Sequence, residues 1–348
     1  MNSSRGADRA TIVTLTMNPA LDVSTGADVV RPTDKIRCAE TRYDPGGGGI
    51  NVARVARVLG ASVAAVSPLG GPAGARVAEL VRRAGVPLRQ VDIAESTRES
   101  FTVDEFSTGR QYRFVLRGPH LDFSERAQCL RELRGAAGSA EFVVASGSLP
   151  PGVPSDFYQL VADVCWELGA LLILDTSGAG LAGVARGVFL LKPSLRELRD
   201  YVGRPLETEI EQVAAARELI EQGVTQAVVV SLGADGALLV TPTVSHRFAA
   251  VPMRGVSGVG AGDAMVAGIT VGLSRAWSLS ESTQLGIAAG TAMLATPGTA
   301  TPSRAEIERI FELVGAPVDV AASVANSTTG RRGPNALAHN VAEHSVDT

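Results

Sequence analysis

The sequence predicts an α/β fold, a doubly wound α/β sandwich carrying a small β-sheet lid. Short, continuously apolar runs rich in Val, Leu and Ile recur along the chain, and helical patterns separate them. Two further stretches alternate polar and apolar residues instead. Unbroken apolarity marks a strand buried on both faces, whereas alternation marks a strand with one wet face. Strands that alternate with helices fold into a parallel sheet covered on both sides. Hydrophobic residues make up 45% of the chain and aromatics only 4%, so the core must be built from Ala, Val, Leu and Ile, which suits helices packed on such a sheet.

The expected strands are "TIVTLTM" from 11, "SVAAVSPLG" from 62, "FVVASGS" from 142, "LLILDTS" from 171, "VFLLKP" from 188 and "AVVVSLG" from 227. Helical patterns cover 50–59, 125–137, 155–168 and 209–222. In the first of these, Val52, Val55, Ala56 and Leu59 form an i, i+3, i+4, i+7 stripe, while Arg54 and Arg57 are expected to face away. The alternating stretches, 22–43 and 99–117, read as lid insertions, with Thr108-Gly109 as a turn inside the second. Such a sheet serves either as an active-site lid or as a dimer surface.

One domain over 11–318 accounts for these elements. Residues 1–10 have no apolar core and read as a disordered leader, and 319–348 are breaker-rich and read as a disordered tail. The net charge of -4, with no block of like charge, argues against nucleic acid and membrane surfaces as partners. No uncharged apolar run reaches membrane-spanning length. Cys38, Cys129 and Cys165 lie far apart, which suggests neither a zinc site nor a disulfide framework and fits a reducing cytoplasm. Only four histidines occur, two of them in the tail, so histidine-based catalysis is disfavoured.

Three glycine-rich segments carry the chemistry. In "DPGGGGINVARV", Gly46 to Gly49 lead into a helix start, where backbone can approach a ligand and Asn51 can meet hydroxyls. "VVVSLGADGALLV" is explained by a hairpin turn at Asp235-Gly236 without any ligand. In "GVSGVGAGDAMVAGI", from 255, the amides of residues 260–263 point out of a helix N-terminus and make an anion hole. Asp263 in that turn is either an ordinary helix-terminal Asp or a base that deprotonates a nucleophile attacking the anion. There is no GxxxxGK[ST] phosphate loop, the spacing of Gly258, Gly260 and Gly262 fails GxGxxG, and "SGSLPPG" fails GxSxG.

Together these segments resemble the ribokinase-like (PfkB) carbohydrate kinases, from about Thr11 to Leu313. "GGGGINVARVARVLG" resembles the family's first signature and "GVGAGDAMVAGI" its second. Within the family, "LTMNPALDVS", "YDPGGGGIN", "QYRFVLRGP" and "ASGSLPPGV" are most similar to the minor, second type of bacterial 6-phosphofructokinase. The 1-phosphofructokinases and tagatose-6-phosphate kinases are also similar, but typically carry GKG where this chain has Gly47, Gly48 and Gly49.

The resemblance implies phosphoryl transfer from ATP, with Mg2+, to a sugar phosphate, with fructose 6-phosphate favoured as acceptor. It implies Asp263 as catalytic base and the amides of Gly260, Ala261 and Gly262 as anion hole. Asp22, Gly47, Gly48 and Asn51 match positions that hold sugar hydroxyls, and Lys35, Arg37 and Arg98 match a basic set for the sugar phosphate. Lys192, Ser231 and Gly233 match nucleotide-side positions. It also implies a homodimer through the lid. The family's NxxE motif, which helps order the magnesium-water shell, reads Ser194 to Glu197 here. A serine lacks the amide's reach and its two donors, and this motivates the competing reading of a non-catalytic sugar-phosphate or nucleotide binder.

Overall fold

The computed structural model describes residues 11–253 and 258–320. The expected leader, Gly255 and the sequence from 321 lie outside the described residues. The chain opens with β1 (Ile12–Leu15), then leaves the main sheet for β2 (Ala20–Ala27) and β3 (Arg42–Gly46). It returns through α1 (Gly48–Val58), β4 (Val63–Leu69), α2 (Gly71–Arg83) and β5 (Leu88–Asp92), and leaves again for β6 (Arg98–Glu105) and β7 (Arg110–Val115). Next come α3 (Phe123–Ala137), β8 (Phe142–Ser146), α4 (Phe157–Leu168), β9 (Leu171–Asp175) and the single turn α5 (Ala179–Ala182). β10 (Val188–Leu191), α6 (Leu195–Val202), α7 (Glu209–Glu221) and β11 (Thr225–Ser231) continue the pattern. A meander of β12 (Ala237–Val240) and β13 (Ser245–Phe248) precedes α8 (Ala261–Ser274), α9 (Leu279–Leu294), α10 (Arg304–Phe311) and β14 (Val318–Asp319). The expected tail therefore begins too early at 319, because β14 pairs with β13 and Val320 is buried.

The main sheet has the order β14-β13-β12-β11-β10-β9-β8-β1-β4-β5. Its members from β5 across to β11 are parallel, and β12 to β14 form an antiparallel edge. Alternate residues feed two cores: Ile12 and Val144 pack with α1, α8 and α9, whereas Val13 and Val143 pack with α3, α4 and α7. From β1 the chain runs outward to β5, then crosses back to β8 on the other side of β1. Where the order reverses, the loops beyond the carboxyl ends of β1 and β8 diverge and open a crevice.

The central helices α8 and α9 have almost no polar face, as their burial requires. They meet closely at Gly268 and Gly286: a Cβ on Gly268 would lie 2.5 Å from the Leu285 carbonyl oxygen. This contact fixes α8, and with it Asp263, against the sheet.

The lid has the order β3-β2-β6-β7, and β2 pairs in parallel with the whole of β6, so both insertions build one sheet. The second insertion turns at Thr108-Gly109 as expected, with Gly109 at φ 67°. The first is strand only at its two ends. Residues 28–41 form an exposed excursion, where Pro32 has no amide to donate and Thr33 sits at φ 68°. Thr25 Oγ1 to the Ala39 carbonyl (3.0 Å) and the Ala39 amide to the Gly26 carbonyl (2.8 Å) fasten it to β2.

Candidate active site

A cavity of about 190 Å³ lies between the lid and the carboxyl ends of the main strands. Its floor is the N-terminus of α8. Gly260 caps the helix at φ 77°, a conformation glycine adopts without strain. The first backbone bond of the helix runs from the Ala264 amide to the Gly260 carbonyl (2.8 Å), so the amides ahead of Ala264 have no acceptor within the helix. Asp263 stands in this first turn and opens into the cavity. Asn51, from the first turn of α1, donates its Nδ2 to Asp263 Oδ2 at 2.9 Å.

Burial pushes the Asp263 carboxyl up to about 6, helped by the nearby Asp175 carboxylate and opposed by the Asn51 hydrogen bond and Lys192. Asp22, on β2, is likewise raised to about 6 by burial, with Arg98 opposing and Asp44 assisting. Two carboxyls held near 6 in one cavity are placed to change protonation near neutral pH.

Of the residues singled out in the sequence, Asp22, Gly47, Gly48, Asn51, Arg98, Gly260 and Asp263 line this one cavity. The four-glycine run owes its composition largely to the protein itself. A Cβ on Gly46 would strike the Asp22 carboxylate at 2.3 Å, one on Gly48 the Ser146 hydroxyl at 2.2 Å, and one on Gly49 the Leu15 carbonyl at 2.6 Å. Only backbone fits between the ends of β1, β2 and β8, which is how the α1 N-terminus reaches the crevice.

Arg98 donates to the Asn18 carbonyl at 3.1 Å and the Leu116 carbonyl at 3.2 Å, which aims its guanidinium along the cavity wall. Sequence reasoning missed Ser24, Ser100, Thr102, Arg113 and Thr299, which also line it. Ser100 and Thr102 share a face with Arg98 by strand alternation, and Arg113 sits opposite Thr102 across the hairpin. The Thr108-Gly109 turn was the signal that could have found Ser100, Thr102 and Arg113, whereas Ser24 and Thr299 carried none.

Lys35 and Arg37 are not brought to this cavity. They lie on the exposed excursion, around a separate depression shared with Asp28, Arg31 and Asp34. Within one chain, the cations facing the cavity from the lid are therefore Arg98 and Arg113.

Lys192, Ser231 and Gly233 sit outside the cavity, at the carboxyl ends of β10 and β11. Lys192 is buried and pairs with Asp175 at 3.1 Å. Burial disfavours its charge, but Asp175, Glu197 and Asp263 outweigh this and hold the ammonium above its usual range. A Cβ on Gly262 would lie 3.6 Å from its Nζ, which places the cation under the α8 N-terminus. The Ser231 amide donates to the Pro193 carbonyl (2.9 Å), and Gly233 opens an exposed turn at φ 62°.

Ser194 has a local explanation. It is the N-cap of α6: its Oγ accepts from the Glu197 amide at 3.2 Å, and Glu197 Oε2 accepts from the Ser194 amide at 2.8 Å. This reciprocal capping box holds α6 in place, so the serine needs no metal-shell role to account for it. Among the described residues no cluster of three acidic, His or Cys side chains could hold a metal.

Helices on both faces of a parallel sheet, a separate β-sheet lid, and a carboxylate in the first turn of a helix that lines the cavity between them make up the architecture of the ribokinase-like carbohydrate kinases. A model of the pfkB family of carbohydrate kinases matches residues 12–306, and the chain belongs to that family. It is 63% identical over 309 residues to ATP-dependent 6-phosphofructokinase isozyme 2 of Mycobacterium tuberculosis, covering 89% of this chain and 91% of that one. With the Escherichia coli isozyme 2 it shares 37% identity over 86% of this chain and 97% of the other. The crystal structure of E. coli phosphofructokinase-2 in complex with fructose 6-phosphate superimposes with a TM-score of 0.82 at 34% identity, over 88% and 99% of the two chains. A tetrameric inhibited form of that E. coli protein matches with a TM-score of 0.82, at 34% identity over 87% and 99%.

Proposed function

We propose that this chain is an ATP-dependent 6-phosphofructokinase, which transfers the γ-phosphoryl group of ATP to the free primary hydroxyl of fructose 6-phosphate. The observation that carries the reading is the cavity itself, which brings Asp263 and Gly260 at the α8 N-terminus together with Arg98 and Arg113 of the lid and with Asp22 and Asn51.

The arginines hold the substrate phosphate, for which a guanidinium fork is suited. Asp22 and Asn51 engage ring hydroxyls, and this leaves one hydroxyl at Asp263. Above pH 6 the Asp263 carboxylate takes that proton as the oxygen attacks phosphorus. The charge on the transferring group is met by the amides of Gly260, Ala261 and Gly262, with Lys192 beneath them. Mg2+ supplies charge neutralisation on the donor phosphates when it is bound. Closure of the lid excludes water that would otherwise hydrolyse ATP.

The lid also presents Phe101, Phe106 and Phe114 to solvent, and this apolar surface supports a homodimer formed through the lid. No helix among the described residues is long and apolar enough to cross a membrane, and Cys38, Cys129 and Cys165 are free thiols, which supports a cytoplasmic setting.

The test is ADP release with Mg-ATP and, separately, fructose 6-phosphate, fructose 1-phosphate, tagatose 6-phosphate and ribose, with identification of the sugar product. Preferential turnover of fructose 6-phosphate to the 1,6-bisphosphate is expected. Preference for another acceptor reassigns the substrate, and ATP binding without turnover of any acceptor overturns the kinase reading.

A further inference from the structure

Arg54 contradicts the amphipathic pattern of α1. The helical stripe places it in water beside Arg57, but it is only 8% exposed. Its guanidinium enters a junction between β3, α1 and the 296–300 loop. Nη1 donates to the Thr299 carbonyl at 2.9 Å and lies 3.4 Å from the Pro45 carbonyl and 3.5 Å from Asn51 Oδ1, while Nη2 faces Asp44 Oδ1 at 3.9 Å. Arg42 completes the junction by holding Asp44 at 2.7 Å and the Pro297 carbonyl.

Asn51 thus stands between a cation and an anion. Its amide has two orientations, related by exchange of oxygen and nitrogen. In one, the oxygen faces the Arg54 donor and the nitrogen donates to Asp263. In the other, the amide hydrogens face the guanidinium and the oxygen faces the carboxylate, so both contacts are repulsive. The pairing Arg54 to Asn51 Oδ1, and Asn51 Nδ2 to Asp263 Oδ2, is the one that satisfies all three groups.

We propose that Arg54 is a positioning residue for the phosphoryl-transfer step: it fixes the amide of Asn51 so that Asp263 Oδ2 is occupied and Oδ1 is left to take the substrate proton. Through Thr299 it also anchors the loop that lines the cavity beside β2 and β3. The inference rests on Asp263 being the base.

Three variants test it: Arg54→Met, which preserves the packing of the stem, Arg54→Lys, and Asn51→Ala. Arg54→Met should lower kcat about 10- to 100-fold while KM for fructose 6-phosphate changes less than about threefold, because Arg98 and Arg113 are untouched. Arg54→Lys keeps a charge beside Asp44, and Arg42 still holds that carboxylate, so this variant should fold normally and lose about 3- to 10-fold in kcat. In kcat, Asn51→Ala should cost little more on top of Arg54→Met, since both remove the restraint on Asp263, whereas the lost contact of Asn51 with the ring hydroxyls should show in KM.

A second readout needs no turnover. The groups facing Asp263 are Asp175 and Asp22, which raise it, and Lys192 and Asn51, which lower it. Loss of the Asn51 donor should therefore move the Asp263 carboxyl titration, followed by ¹³C NMR, upward by a similar amount in Arg54→Met and Asn51→Ala. If the parent chain turns over no sugar phosphate, the function reading fails, and the NMR titration still decides the positioning role. Parental kcat and titration in both Arg54 variants would overturn the proposal, as would kcat losses in the double variant that multiply independently.

Discussion

Replacing Asp263 with asparagine should cut turnover by orders of magnitude and stabilise the fold at the same time. The Asp263 carboxyl is raised from 3.8 to about 6, chiefly by burial, although the residue remains partly open to the cavity. Because its folded-state value lies above the unfolded one, the protonated form is favoured by folding. The stability this group supports is complete below pH 3.8 and is lost as pH rises through about 6. A shift of about two units corresponds to roughly 3 kcal/mol at pH 8 and about half of that at pH 5. The asparagine would not titrate and can still accept from Asn51, so the variant should gain on the order of 3 kcal/mol over the parent at pH 8 and about half as much at pH 5. Turnover should fall by about 10²- to 10⁴-fold with loss of the base. Urea unfolding at the two pH values, together with ADP release, measures both. A variant no more stable than the parent at pH 8 would refute the claim that the carboxylate is held at a cost. A variant with parental turnover would refute its role as base.

Arg98→Ala should raise KM for fructose 6-phosphate by about 10- to 100-fold and leave turnover of an unphosphorylated sugar unchanged, which steady-state kinetics with both acceptors would show. Gly49→Ala, whose Cβ would lie 2.6 Å from the Leu15 carbonyl, should destabilise the protein by about 2–3 kcal/mol in urea unfolding. Ser194→Ala should cost about 1 kcal/mol through loss of the α6 cap, whereas Ser194→Asn, also a good cap, should preserve both stability and the dependence of rate on Mg2+ concentration. A change in that Mg2+ dependence on Ser194→Asn would show that the serine reaches the metal shell after all.

The α/β class, the alternation of the main strands and helices, and the glycine-rich start of the helix that carries Asp263 were all legible in the sequence. Each rests on local pattern: continuous apolar runs, 3.6-residue stripes, and glycines at a helix start. Asp22, Gly47, Gly48, Asn51 and Arg98 were named from their resemblance to signature segments, and the cavity unites them. The local pattern misled where a partner far along the chain decides the outcome. Arg54 reads as a solvated residue on its own helix, and only Asp44 and the Thr299 carbonyl, 245 residues away, make burial of its charge tolerable. Arg113 faces the cavity through hairpin register, and Lys35 and Arg37 stand apart from it within one chain because the excursion that carries them runs away from the cavity wall. The sequence by itself determined where most of the main elements form and that a glycine-rich turn opens the helix carrying Asp263, because both depend on neighbours a few residues apart. Which charges face one another across the cavity was decided only by tertiary structure, because electrostatic partnership depends on distance in space, not on separation along the chain.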